Sequence, residues 1–322
     1  MIPIRDTTPT QNAPIVNSTI IGFNVVIFLV QIAQGPELHQ FNYIYGLVPA
    51  RYTVPQIMAY FTIGQQLLSF FSFMFLHGGF WHLLGNIWFL YIFGDNVEDH
   101  LGHLRYILFY LLCGLASGAS HLLLNMNSNV PTIGASGAIA GVMGAYFILH
   151  PFSKILTLIP ILFIPWFIEI PAFFFLGFWF ILQFISAAGV RAEVSSIAWW
   201  AHIGGFIFGI IILKFFNLLP AAGITKKIRP VTARKKTHRL QMIRPIGTRD
   251  DPNLHGTLYV TPHEASQGTN KIVNIPWGFQ KRLIRVNIPR GIKSGKILRL
   301  KGLGQKRSEG LIGDLYLKVV IR

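Results

Sequence analysis

Across residues 1–222 this chain places only six basic and seven acidic side chains among long apolar segments, which excludes most ways of folding in water. An ordinary soluble chain carries about a quarter charged residues, and the whole sequence here carries 12%. A membrane-spanning helix needs roughly 20 mainly apolar residues. Six segments approach that length: 18–33, 79–93, 104–124, 136–149, 171–187 and 196–216. Gly35-Pro36, Gly94-Asp95, the stretch 125–131 and His150-Pro151 supply the breaks between them. The expectation is an all-α polytopic membrane protein of six transmembrane helices, residues 1–222, followed by a small, mostly-β soluble domain.

Two stretches fit this plan less simply. Residues 37–64 are apolar but broken by Pro49 and Pro55, which suits a loop lying at the membrane interface. Residues 154–183 are nearly continuous apolar sequence containing Pro160, Pro165 and Pro171. They read as a proline-rich interfacial or re-entrant part leading into the fifth helix, with two spans as the alternative. The N-terminal 14 residues lack the basic start and early apolar core of a signal peptide.

The charge is concentrated at the other end. Residues 223–322 hold 22 basic and five acidic side chains. Lys226, Lys227, Arg229, Arg234, Lys235, Lys236 and Arg239 follow the sixth apolar segment directly. The excess of Lys and Arg beside a span marks its cytoplasmic side, so six spans put both termini in the cytoplasm, here of a bacterial cytoplasmic membrane. Residues 223–253 then read as a basic juxtamembrane linker against an anionic inner leaflet. Nucleic acid as the partner of this charge is disfavoured, because no interleaved aromatic residues or known fold motif accompany it. Cys113 is the single cysteine, which rules out an intrachain disulfide and a cysteine-based zinc site; no metal or cofactor is expected.

Ionisable and polar groups inside spans are costly and by default face the bundle interior to do something. His82 and Asn86 are four residues apart on the second segment and share a helix face, with His77 near its mouth. Ser136 opens the fourth segment within Gly134-Ala135-Ser136-Gly137, and His202 lies early in the sixth. The six-span topology brings Ser136 and His202 to similar depth near the outer face. Ser136, Ala140 and Gly144 follow an i, i+4, i+8 row, and His202, Gly205 and Gly209 follow i, i+3, i+7. Small-residue strips let helix backbones approach closely, and close approach is what a serine and a histidine on different helices need to share a hydrogen bond. His202 then takes the hydroxyl proton and Ser136 attacks a carbonyl. His82, Asn86 and the free N–H groups at the start of the fourth helix are the candidate oxyanion donors, with Gly134 and Gly137 allowing a tight turn beside them. Each feature alone has a bland reading: a packing serine, an interfacial histidine, a His/Asn pair for a helix partner, a metal or a lipid headgroup. Their matched depth is what packing does not explain.

The runs His77-Gly78-Gly79-Phe80-Trp81-His82-Leu83-Leu84-Gly85-Asn86, Gly94-Asp95-Asn96-Val97-Glu98-Asp99, Gly134-Ala135-Ser136-Gly137-Ala138 and Ala201-His202-Ile203-Gly204-Gly205 resemble the rhomboid family of intramembrane serine proteases. The resemblance covers about residues 15–216. It implies a six-helix core, a Ser136–His202 dyad without a catalytic acid, His82 and Asn86 at the oxyanion site, and single-span membrane proteins as substrates. It also assigns Glu98 a structural role, with Arg105 as its expected partner. The first loop departs from the family in lacking its Trp-Arg pair, although Arg51 is present, and the insertion at 154–171 is longer than a minimal member needs.

From residue 254 the pattern changes to short alternating strands at 257–260, 271–275, 283–288, 297–300 and 315–321, separated by Gly-rich turns. Ile288-Pro289-Arg290-Gly291, Ser294-Gly295-Lys296-Ile297-Leu298-Arg299-Leu300 and Gly313-Asp314-Leu315-Tyr316-Leu317 resemble the C-terminal, client-binding β domain of DnaJ-type co-chaperones. That resemblance implies at most the binding of an unfolded peptide or protein client, since neither a His-Pro-Asp motif nor zinc-ligating cysteines are present. The alternative for the whole chain is a non-catalytic membrane adaptor that binds transmembrane helices and presents this domain.

Overall fold

A computed structural model describes residues 1–8, 10, 12–161, 164–189, 198–219, 240–243, 245–247, 251–277, 280–305 and 312–321. The chain divides into two units, Met1–Ala233 and Arg234–Arg322.

In the first unit, strand β1 (Ile2–Asp6) precedes α1 (Ile15–Ile32). The stretch that follows is built of short helices, α2 (Leu38–Tyr45), α3 (Ala50–Thr53), α4 (Pro55–Met58) and α5 (Ile63–Ser72). Then come α6 (Phe80–Leu101), α7 (His103–Leu124), α8 (Ser136–Leu149), the hairpin β2 (Lys154–Ile161) and β3 (Ile164–Pro171), α9 (Ala172–Gly189) and α10 (Trp199–Leu218). Among the described residues, α1, α7, α9 and α10 are each long and apolar enough to cross a membrane. The pair Ile63–Phe75 and Phe80–Leu101, bent by 75°, raises the number to five, while the 14 residues of α8 form a shorter apolar helix. The membrane character is clear; the count of six spans is not reached by length and composition.

Three expectations are corrected here. Residues 154–171 form no second span: the proline-rich part read as interfacial or re-entrant is a hairpin, to which β1 adds a third antiparallel strand, and it leads into α9. Prolines forbid a helix interior, and here they sit where a sheet tolerates them. Pro160 and Pro165 face each other near the turn, beyond Leu158, the last residue of β2 that β1 reaches. The second correction is that α6 does not stop at Gly94 but continues to Leu101, leaving Gly102, at φ +78°, as the whole joint before α7. A Cβ on Gly94 would lie 2.7 Å from Asn17 Cγ and from the Tyr106 hydroxyl, and nearer still to Asn17 Oδ1, so this glycine makes room for a neighbouring helix.

That neighbour is α1, whose buried face carries Asn17, Asn24 and Gln31 at seven-residue intervals. Asn17 accepts from Tyr106 Oη at 2.7 Å and donates to the Leu90 carbonyl at 3.0 Å. Gln31 accepts from the His77 N–H at 2.8 Å and donates to its carbonyl at 3.2 Å. Such interhelical bonds hold helices together where lipid removes most of the hydrophobic drive. The third correction concerns Glu98. It pairs with His103 rather than with Arg105, and accepts from the Val16 and Asn17 N–H groups at 3.0 and 2.7 Å. Pro14, at the N-cap of α1, supplies no side-chain cap, so the carboxylate of α6 satisfies donors the helix leaves open. Arg105 instead donates to the Phe216 and Leu219 carbonyls.

In the second unit, two three-stranded sheets enclose a core that includes Leu258, Val273, Val286, Leu315, Leu317 and Val319. One sheet orders β4 (Leu240–Met242), β6 (Thr269–Trp277) and β7 (Gln280–Ile288); β6 and β7 pair antiparallel over their whole lengths. The other orders β5 (Leu254–Val260), β9 (Leu315–Ile321) and β8 (Ile297–Leu300), with β5 parallel to β9. All five expected strands lie within these elements. Strand β4 does not: it falls inside the stretch read as linker, pairs with β6, and is followed by the buried Ile243. The part of the linker at 223–239 lies outside the described residues. The short helix α11 (Pro262–Gln267) starts on a reciprocal capping box between Thr261 and Glu264. Glu264 also receives Lys271 Nζ at 3.0 Å.

Candidate active site

The turn into α8 places Ser136 by backbone geometry. Gly134 has φ +142°, a conformation side chains rarely adopt, and a Cβ there would meet His82 Cε1 and Nε2 at 3.0 Å and Ser136 Oγ at 3.4 Å. The turn that aims the hydroxyl therefore also admits the His82 ring beside it. Ser136 is the first residue of α8, where backbone N–H groups have no partner within the helix.

His202 reaches Ser136 from the first turn of α10. Its Nε2 lies 2.7 Å from Ser136 Oγ, and the residue as a whole is 9% exposed. The helices meet backbone to backbone. A Cβ on Gly205 would lie 2.9 Å from the Gly137 carbonyl carbon and nearer still to its oxygen, and one on Gly209 would meet the Gly141 Cα at 2.5 Å. On α10 the contact row is the expected one, Gly205 and Gly209. On α8 the expected row is met in part: Gly144 lies against the Phe206 backbone and the Ala140 Cβ is 3.4 Å from the Gly205 position, while the contacts to Gly205 and Gly209 themselves come from Gly137 and Gly141.

The other ring nitrogen of His202 settles which way the proton points. Nδ1 lies 2.8 Å from Gln183 Oε1 of α9, and the Gln183 amide nitrogen donates to the Trp179 carbonyl at 3.3 Å. A carbonyl only accepts, so the amide's oxygen faces His202 and Nδ1 carries the hydrogen. Nε2 is left with its lone pair toward the Ser136 hydroxyl. His82 has the opposite tautomer for an equally local reason: its Nδ1 accepts the Gly78 N–H at 3.2 Å, which places the hydrogen on Nε2, the atom beside Gly134. One histidine offers a lone pair to the hydroxyl and the other offers an N–H to the space next to it.

Asn86 is nearly buried and donates one amide hydrogen to the His82 carbonyl at 2.9 Å, leaving the second. Both side chains line a cavity of about 920 Å³ that also holds Ser136, His202, Gln183 and His121. His77 is buried outside that lining, its ring 5.3 Å from that of His82, so it packs behind a wall of the cavity. Gln183 and His121 were not singled out from sequence. Both are polar residues inside apolar helices, and the rule that pointed to His82 applies to them equally. Among the described residues no group of three His, Cys, Asp or Glu side chains is arranged to hold a metal ion.

Comparison with known proteins adds the following. Residues 64–217 match the family profile described as "Rhomboid domain", and residues 241–322 match "DnaJ C terminal domain". The chain is 28% identical over 196 residues to "Rhomboid protein 1, mitochondrial" of Saccharomyces cerevisiae, covering 60% of this chain and 50% of that protein. It is 31% identical over 160 residues to "RHOMBOID-like protein 1" of Arabidopsis thaliana, covering 49% and 37%. It is 30% identical over 161 residues to "RHOMBOID-like protein 6, mitochondrial" of the same plant, covering 50% and 47%. The chain thus spans half or less of the length of each of these relatives. Two of their names place them in mitochondria, which lends the expectation of a bacterial membrane no support.

Proposed function

Since the chain is a rhomboid-family protein with a DnaJ-type C-terminal domain, we propose that its membrane unit is an intramembrane serine endopeptidase. The observation that carries the reading is the 2.7 Å pair between Ser136 Oγ and a His202 Nε2 whose lone pair faces it. In the first step His202 takes the Ser136 proton and Oγ attacks a peptide carbonyl of a single-span substrate. The oxyanion is met by His82 Nε2–H, the free Asn86 hydrogen and the open N–H groups of the first turn of α8. The tetrahedral species collapses as His202 passes its proton to the leaving amine, and water then repeats the sequence on the acyl ester. The cavity supplies that water.

Depth supports the same reading. A 14-residue helix is about 21 Å long, against a hydrocarbon core of about 30 Å. With its Leu149 end at one boundary of that core, the helix would stop about 9 Å short of the other, so that Ser136 would be recessed and a substrate helix would have to unwind to present its carbonyl. We assign six spans in residues 1–222 with both termini in the cytoplasm, and place residues 223–322 there as a basic connection and a domain that binds unfolded clients.

The test is labelling of the purified full chain in detergent by a fluorophosphonate. Wild type reacts, and Ser136→Ala and His202→Ala do not. Equal labelling of wild type and Ser136→Ala would leave the adaptor reading in its place.

A further inference from the structure

Most polar groups that reach His202 belong to the reaction just described; Gln183 does not, and it is the more informative for that. It lies on α9, at 6% exposure, 19 residues before His202, and its amide oxygen is the acceptor for Nδ1. We infer that Gln183 is a positioning residue for His202: it fixes the tautomer and rotation of the imidazole that activates Ser136, an uncharged counterpart of the carboxylate that orients histidine in soluble serine hydrolases. The inference rests on the proteolytic reading of the site and deepens it.

Three observations carry it. First, the amide is itself oriented, because Gln183 Nε2 donates to the Trp179 carbonyl one turn earlier on the same helix. An amide free to rotate would offer N–H to Nδ1 half the time and place the histidine proton on Nε2, where it would block the serine. Second, the ring packs near two indoles, with centroids at 6.0 Å for Trp179 and 6.1 Å for Trp199, the latter edge-on at 89°. Packing restricts ring position, but an indole face does not choose between two tautomers; a directional acceptor does. Third, the choice of an amide suits the place. A carboxylate at this depth would need desolvation at considerable cost, whereas the neutral amide carries no charge to desolvate and has a partner for both its oxygen and its nitrogen. It gives up the strong stabilisation of imidazolium that a carboxylate provides and keeps the orientation.

The experiment uses the full chain in detergent and measures the rate of fluorophosphonate labelling against pH, together with kcat and KM on a single-span reporter peptide. Gln183→Met keeps the length of the side chain and removes the acceptor. It is expected to lower the labelling rate and kcat about 10- to 100-fold, the size of effect found where a metal-binding histidine loses the partner that orients it, with KM within about threefold. Gln183→Glu keeps the acceptor and adds charge, so it is expected to restore orientation while moving the acid limb of the profile to higher pH, because a neighbouring carboxylate favours the protonated ring. Labelling of Gln183→Met within twofold of wild type overturns the inference, as does an acid limb that Gln183→Glu leaves in place. Should Gln183→Met fail to fold, the Gln183→Glu limb decides alone. Wild type that labels no faster than Ser136→Ala would instead bring down the proteolytic reading itself, and the role of Gln183 with it.

Discussion

Replacing Gly205 by alanine should separate activity from fold. The Cβ it adds would lie 2.9 Å from the Gly137 carbonyl carbon and closer to the oxygen, whereas real Cβ atoms keep beyond 3.0 Å of such atoms. Both partners are backbone, so no side chain can rotate away, and the α8 and α10 backbones must part by about 1 Å. Overpacking of that kind typically costs about 1–3 kcal/mol, which leaves most of the protein folded. The site is less tolerant. His202 stands one turn before Gly205 on the same helix, and its 2.7 Å bond to Ser136 leaves the reach of roughly 2.6–3.2 Å once the helices part. Misplacement by about 1 Å in a reacting pair costs about 100-fold. The expected outcome is a fluorophosphonate labelling rate down by about two orders of magnitude with a cooperative thermal transition retained. Alanine at 205 with labelling within threefold of wild type would refute the claim that direct backbone contact between these helices sets the serine–histidine distance.

Glu98→Ala leaves the Val16 and Asn17 N–H groups at the start of α1 without their acceptor and His103 without its partner. It should destabilise the membrane unit by about 3 kcal/mol, read as a loss of thermal stability in detergent, while Arg105→Ala leaves the Glu98 contacts in place and costs less. In the second unit, burial pushes the Glu264 carboxyl up, but the Thr261 N–H and Lys271 outweigh it and hold the group below its ordinary value of 4.5. A depressed carboxyl contributes stability above its unfolded value and loses it as pH falls through the folded one. The protection of β6 amides against hydrogen exchange, taken relative to the intrinsic exchange rate at each pH, should therefore fall below about pH 4.5 in the full chain, and Glu264→Gln should flatten that dependence; an unchanged acid profile in the variant would count against the assignment.

The course of α8 was legible to the residue, 136–149, because the breakers at Pro131 and Pro151 and the run of small apolar residues are local signals. The end of α6 was not. A glycine inside a helix reads as a stop until the Asn17 and Tyr106 groups that need its missing Cβ are seen beside it. Residues 154–171 were not legible as a hairpin for a related reason: a continuous apolar run has no period that separates a span from paired strands, and the strand that completes this sheet lies about 150 residues earlier. The site divides in the same way. Ser136, His202, His82 and Asn86 were visible as polar residues at matched positions in apolar segments, and Gln183 was passed over although the same rule applied to it.

Hydropathy, charge asymmetry, breakers and motif order are properties of neighbouring residues, and from them follow a membrane unit, a β unit and a short list of chemically able side chains. Which of those side chains meet, and in which tautomer, depends on bonds spanning 66 residues for Ser136 and His202, 19 for His202 and Gln183, and 81 for Asn17 and Glu98. Those distances are set by how helices cross and by a few glycines that let backbones touch. No local pattern encodes a crossing, so the choice of Nε2 as the lone pair facing Ser136 became readable only once α8, α9 and α10 were packed together.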